Sequence, residues 1–223
     1  MTRLRAILFD IDGTLVDSND KHTDCWVEAF AHFGKEVAWD AVRFQIGKGG
    51  DFLVPDTLNA REMRKFGEPL KKYRGELWKK KYMDSVQPFP GIREALDAVE
   101  ARKIKIALAS SSNPDEVEYY VELLGIAKML EGSTSKGDAQ FSKPSPEIFQ
   151  AALEQTGSKV TETLVAGDTP YDILAAHRGC LTVAALLCGG FPRDTLTKAE
   201  FVFEGVPELI GNLEQIDEYF ASE

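Results

Sequence analysis

The residues with most chemistry to offer fall in four short segments. The first is Phe9-Asp10-Ile11-Asp12-Gly13-Thr14-Leu15, directly after the apolar run Ala6 to Phe9. Two carboxylates and a glycine at a strand end serve stability poorly, because like charges repel. They also fit an ordinary strand-to-loop turn. The second, Ala109-Ser110-Ser111-Ser112-Asn113-Pro114, offers hydroxyls and backbone N–H groups at a helix entry. Such groups suit phosphate oxygens, or simply cap the helix. The third, Ser142-Lys143-Pro144-Ser145-Pro146, puts a lysine just before a helix. The fourth is Val165-Ala166-Gly167-Asp168-Thr169-Pro170-Tyr171-Asp172. Asp168 sits at the strand tip and Asp172 four residues on, where acids also favour a helix start.

Short apolar runs must position these segments. Ala6–Phe9, Ile104–Ala109, Leu164–Ala166, Thr182–Leu187 and Phe201–Phe203 read as parallel strands buried on both faces. Helical periods lie between them. Ile92, Ala95, Leu96 and Val99 form one, and Val117, Tyr120, Val121 and Leu124 another, stopped by Gly125. Ile148, Phe149, Ala152 and Leu153 form a third, and Leu209, Leu213, Ile216 and Phe220 close the chain. The alternation predicts an α/β fold with a doubly wound parallel sheet. Ligands in such sheets bind at the carboxyl ends of the strands, where all four segments fall.

Residues from about Ser18 to Val86 break the alternation and show only helical patterns. Trp26, Val27, Phe30 and Phe33 line a helix ending at Gly34. A second helix is expected after Asp56, stopping at Gly67. A third is expected from Pro69, with Leu70, Tyr73, Leu77 and a solvated Lys79-Lys80-Lys81 run. Gln87-Pro88-Phe89-Pro90-Gly91 reads as the return linker. The expected division is a core of residues 1–17 and 87–223 and an all-helical insert of 18–86.

Composition excludes other classes. Asp and Glu number 36 against 26 Lys and Arg, a net charge of −10. That charge repels a phosphate backbone, so no nucleic-acid partner is expected. Cys25, Cys180 and Cys188 are widely spaced and show neither a CxxC nor a zinc pattern. They read as three buried thiols in a reducing cytoplasm. No apolar stretch is long enough to span a membrane. A monomer is the default.

The four segments, in the order Asp, Ser, Lys, Asp, resemble the motifs of the haloacid dehalogenase-like superfamily. The likeness is to its branch of phosphoglycolate phosphatases and β-phosphoglucomutases, and it covers nearly the whole chain. Asp10-Ile11-Asp12-Gly13-Thr14-Leu15 matches the first motif, Ser110 the second, Lys143 the third, and Gly167-Asp168 with Asp172 the fourth. The 18–86 insert resembles the family's helical cap. The resemblance puts strand one between the strands ending at Ala109 and Ala166. It implies a phosphatase acting on a small phosphorylated metabolite. Asp10 would be the nucleophile and Asp12 the general acid and base. Mg2+ would bind the Asp10 carboxylate, the Asp12 carbonyl and Asp168. Ser110, with neighbouring groups such as Ser111, would hold phosphoryl oxygens. Lys143 would offset charge. Asp172 would either reach the metal through water or orient Lys143.

Charge counting agrees with a metal. Four aspartates and a phosphate monoester, which adds roughly two negative charges, exceed what Lys143 balances. Within the insert, Gln45-Ile46-Gly47-Lys48-Gly49-Gly50-Asp51 resembles the family's specificity loop. Lys48 either reaches an anionic leaving group or belongs to a flexible surface loop. His22 either faces substrate, as a similarly placed histidine does in the mutases, or is structural. Trp26 reads as core. The alternatives are a sugar phosphomutase and a non-catalytic binding protein on the same fold. Gly167 stands where the mutases tend to carry Glu, which weighs against the first. Dehalogenases carry tyrosine at the Asp12 position, and phosphonate-cleaving relatives carry alanine.

Overall fold

The computed structural model describes residues 4–222. Strand β1 (Ala6–Phe9) and the short β2 (Val16–Asp17) lead into helices α1 (Asn19–His32), α2 (Trp39–Arg43), α3 (Gly50–Thr57), α4 (Ala60–Glu62) and α5 (Glu68–Leu77). The chain returns through β3 (Gln87–Pro88) and then alternates. It runs through α6 (Ile92–Ala101), β4 (Lys105–Ala109), α7 (Pro114–Leu124), β5 (Leu130–Thr134), α8 (Glu147–Thr156) and β6 (Thr163–Gly167). It ends with α9 (Pro170–Arg178), β7 (Thr182–Leu186), β8 (Phe201–Phe203), α10 (Val206–Gly211) and α11 (Leu213–Ser222).

Six strands form one sheet in the order β5-β4-β1-β6-β7-β8, and every pairing in it is parallel. All of β1 is buried, because helices cover both faces. Alternate residues feed opposite layers. Ile7, Phe9 and Leu108 pack with Leu96 of α6, Tyr120 of α7 and Leu209 of α10. Leu8 and Val165 pack with Phe149 of α8 and Ile173 of α9. The helices between β2 and β3 have their own cluster, including Trp26, Phe30, Val42, Leu53 and Leu70. The fold is thus the expected doubly wound sheet with a helical cap inserted after strand one.

Three local readings need correction. The structure has a sixth sheet strand, β5, which the apolar runs do not announce. It is an edge strand whose residues are largely half-buried or exposed, so no apolar run marks it. The second and third cap helices are not separate, since the backbone stays helical from Ala60 through Ser85. A π-helical turn, Met63–Gly67, stands just before Pro69 and absorbs the missing N–H and ring bulk of that proline without a break. Of the three thiols, Cys25 alone is buried, while Cys188 is half-buried and Cys180 exposed.

The two crossings between sheet and cap meet. Val16 pairs with Pro88 and Asp17 with Gln87 in an antiparallel ribbon. Leu8, central in β1, sets the scale of the core's contribution. Leu8→Ala should destabilise the protein by about 2–5 kcal/mol, read as a lowered urea midpoint at unchanged slope.

Candidate active site

Strand order brings the separate segments together. With β1 between β4 and β6, Asp10, Ser110 and Asp168 stand just past or near adjacent strand tips. The Asp10 N–H bonds the Ala166 carbonyl at 2.9 Å, and the Ser110 N–H bonds Thr134 at 3.2 Å. The loop before α8 carries Lys143 under this row, fully buried, with its ammonium 4.9 Å over the Phe149 ring. Lys143 Nζ donates to Asp10 Oδ1 and lies 2.7 Å from Asp172 Oδ1. Asp172 Oδ2 accepts from the Thr169 N–H at 3.0 Å and hydroxyl at 2.6 Å, which closes the first turn of α9. Asp172 is therefore paired directly with Lys143.

Carboxylate oxygens of Asp10, Asp168 and Asp172 lie within 4.8 Å of one another, all buried. Three formal negative charges face one ammonium. This is a hard-oxygen donor set with excess negative charge, which fits a divalent cation such as Mg2+. Asp168 is held in place by Asn19 Nδ2 at 2.7 Å and by the Thr14 hydroxyl at 3.3 Å. A Cβ at Gly189 would overlap its carboxylate, so that glycine is needed for close approach. The Asp12 carboxylate is not in this cluster and turns toward the cap. Its Oδ1 accepts from the Ser18 hydroxyl at 2.6 Å and contacts His22 Nε2 at 2.8 Å. Its Oδ2 accepts from the Ser112 hydroxyl at 2.8 Å.

These surroundings split the two first-motif carboxylates electrostatically. Burial pushes Asp10 up to about 7, Lys143 opposing it while Asp172 and Asp12 push the same way. Burial, with the charges of Asp172 and Asp10, also lifts Asp168 well above the carboxylate range. Burial would raise Asp12 too, but His22 and the hydrogen bonds from Ser18 and Ser112 outweigh it and hold it below that range. Burial would lower Lys143, but Asp10 and Asp172 keep it charged, above the usual lysine value.

Ser110, Ser111, Ser112 and Asn113 line one cleft with Asp10 and Asp12, at the N-terminus of α7. Ser110 Oγ accepts from the Ser112 N–H at 3.0 Å, and Ser111 Oγ from the Lys143 N–H at 3.4 Å. The cap supplies the other wall with His22, Trp26, Gly47, Lys48, Lys71 and Arg74. Lys48 lines the cleft but pairs with Asp56 at 2.7 Å. The glycine loop has a packing reason, since a Cβ at Gly47 would strike Thr169 and one at Gly49 would strike Ser142. His22 stacks on Trp78 with ring centroids 3.7 Å apart, and its Nδ1 meets Arg74 Nη2. Thr14, Ser18, Asn19, Arg74 and Ser112 are site residues that sequence reading did not single out. Thr14 and Ser112 lay inside quoted motifs, whereas Asn19 and Arg74 carry no local signal.

Fold and site together define an acid-rich crevice at the switch of a doubly wound sheet. The haloacid dehalogenase-like hydrolase family model matches residues 4–179, and the chain belongs to that family. It is thus an enzyme of the hydrolase class. It is 29% identical over 183 residues to pyrophosphatase PpaX of Oceanobacillus iheyensis, covering 82% of this chain and 83% of that one. It is 27% identical over 173 residues to the phosphorylated carbohydrates phosphatase of Thermotoga maritima, covering 78% and 80%. A crystal structure of a hydrolase from Pseudomonas syringae superposes with a TM-score of 0.86 at 26% identity, covering 95% and 99%. At 20% identity the fold is also that of structures named for phosphoglycolate phosphatase and β-phosphoglucomutase. Among the described residues no helix is long and apolar enough to cross a membrane.

The raised Asp10 carboxyl has a signed consequence. The unfolded group titrates near 3.8 and the folded one near 7, so between these values the native state holds a proton that the unfolded state releases. Stability from this group is therefore lost as pH rises through that window. In EDTA, thermal unfolding followed from about pH 5 to about pH 7.5 should show a shallower decline for Asp10→Asn than for wild type. Equal slopes would contradict the assignment.

Proposed function

We propose that this hydrolase is a magnesium-dependent phosphatase that cleaves a small phosphate monoester through an aspartyl-phosphate on Asp10. The observation that carries the reading is the buried set of Asp10, Asp168 and Asp172 with Lys143 inserted between two of them. Magnesium would be held by the Asp10 and Asp168 carboxylates and the Asp12 carbonyl, and it supplies charge neutralisation for Asp10 and the phosphoryl oxygens. Lys143 holds Asp10 ready for attack. Ser110, Ser111 and the α7 N-terminus receive the phosphoryl oxygens.

Asp10 Oδ attacks phosphorus, and the bond from phosphorus to the alcohol oxygen breaks. Asp12, which takes up a proton against the pull of His22, Ser18 and Ser112, gives that proton to the departing oxygen. Water then attacks the phosphorus on Asp10, and Asp12 takes the proton from that water. The Asp10–phosphorus bond breaks, releasing inorganic phosphate and restoring the carboxylate. Ser18, His22 and Ser112 aim the Asp12 carboxylate for both transfers. The cap wall excludes bulk water from the first.

Lys48, Lys71, Arg74 and Lys136 line the cleft, and in this reading they face the leaving group. This basic wall supports a compact leaving group with a second negative charge, a property that pyrophosphate, the substrate its PpaX relative is named for, would also have. A sugar phosphomutase is the second reading, supported by His22 reaching Asp12 from the cap. A cytoplasmic monomer is the proposed setting, in keeping with three unbridged cysteines.

Wild-type protein with Mg2+ should hydrolyse p-nitrophenyl phosphate. EDTA should abolish both turnover and phosphate binding, and Asp10→Asn should lose at least about a thousandfold in turnover. A wild type with no turnover leaves the silent binding protein. In a panel of phosphate esters assayed by phosphate release, anionic alcohols should give higher kcat/KM than neutral ones. Isomerisation of a hexose phosphate without net phosphate release would instead establish the mutase.

A further inference from the structure

Arginine only donates hydrogen bonds. Since Arg74 Nη2 meets His22 Nδ1, that nitrogen must accept, and the ring proton sits on Nε2, facing Asp12 Oδ1 at 2.8 Å. Arg74 thus selects the tautomer that donates to the proton-transfer carboxylate. The ring cannot turn away freely, because it stacks on Trp78 at an interplanar angle of 15°. The guanidinium lies 5.1 Å from the ring centroids of both Trp26 and Trp78. His22, Arg74, Trp26 and Trp78 all belong to the cap.

The counter-charge comes from the other side of the cleft. Glu116, on α7 of the core, is fully buried and places Oε1 3.9 Å from Arg74 Nη1. Asn113 Nδ2 donates to the same oxygen at 2.8 Å and steadies it. A buried carboxylate is costly unless it has a partner. The proton-transfer chemistry described above makes no direct use of Glu116. Without its charge, Arg74 would be a poorly compensated cation between two indoles, free to leave His22.

We propose that Glu116 is a positioning residue for proton transfer, acting through Arg74 and His22 to hold the orientation of Asp12. The chain Glu116, Arg74, His22, Asp12 begins and ends in the core and passes through the cap. Asp12 therefore has the His22 donor on Oδ1 only while the cap lies against α7. The inference rests on the phosphatase reading.

The test compares two esters, both with saturating Mg2+. An alkyl phosphate such as glycerol phosphate needs its leaving oxygen protonated, whereas p-nitrophenolate departs largely unassisted. Glu116→Gln should lower kcat/KM for the alkyl ester by about tenfold or more, within the range of general-acid contributions. It should change kcat/KM for p-nitrophenyl phosphate by less than about threefold. In an Arg74→Met background, Glu116→Gln should cost nothing further, because the two act in series. Imidazole 15N spectra should show His22 as the Nε2–H tautomer in wild type and a mixture in Glu116→Gln. Equal losses on both esters, no loss on either, additive losses or an unchanged tautomer would each overturn the role. If Glu116→Gln does not fold, Glu116→Asp carries the same test, since it keeps the charge and withdraws it from Arg74. A wild type inactive on both esters overturns the phosphatase reading itself. An active wild type with unbiased variants overturns only the positioning role.

Discussion

Everything at the crevice depends on one buried ammonium. Lys143 lies beneath the strand tips between Asp10 and Asp172, and without it the carboxylates would face one another with no cation from the protein. Such a lysine is costly to bury, and its two partners offset that cost only at close range. The constraint reaches outward. The loop before α8 must bring Lys143 to the tip of β1, Asp172 must begin α9 with its other oxygen tied to Thr169, and Phe149 must offer its face to the ammonium. The remaining negative charge is what leaves room for a divalent metal.

The two aspartates of the first motif show how position decides chemistry. They are two residues apart, yet they point to different worlds. Asp10 looks into the carboxylate cluster and is pushed toward neutrality. Asp12 looks toward the cap, where Ser18 and His22 from the cap side and Ser112 from the core stabilise its anion. A nucleophile needs charge balance from a cation, while a proton carrier needs a steady orientation. The sheet supplies the first and the cap the second.

Much of this was legible in the chain. Strands buried on both faces read as plain apolar runs, so β1, β4, β6, β7 and β8 were visible, and with them the segments at their tips. β5 was not, because its sequence, Leu130-Glu131-Gly132-Ser133-Thr134, carries no apolar run at an edge left largely half-buried or exposed. The uninterrupted helix from Ala60 to Ser85 was hidden by Gly67 and Pro69, which locally read as a stop and a start. Asn19 and Asp168 are 149 residues apart, and Arg74 and His22 52 apart, so only the fold joins them. Glu116 stands next to the apolar Val117 in the sequence, with no motif around it. Its complete burial belongs to tertiary packing and leaves no trace in local periodicity.

The ribbon of β2 and β3 carries a last consequence. Because Val16 pairs with Pro88, the polypeptide leaves the sheet and re-enters it through a single doorway. The six-stranded sheet keeps its order whatever is threaded through that opening, since no sheet strand comes from between the two posts. The cap is topologically a cassette. A different cassette of other length and side chains would meet the same four aspartates and the same lysine, so leaving-group preference can diverge while the phosphoryl chemistry stays in place.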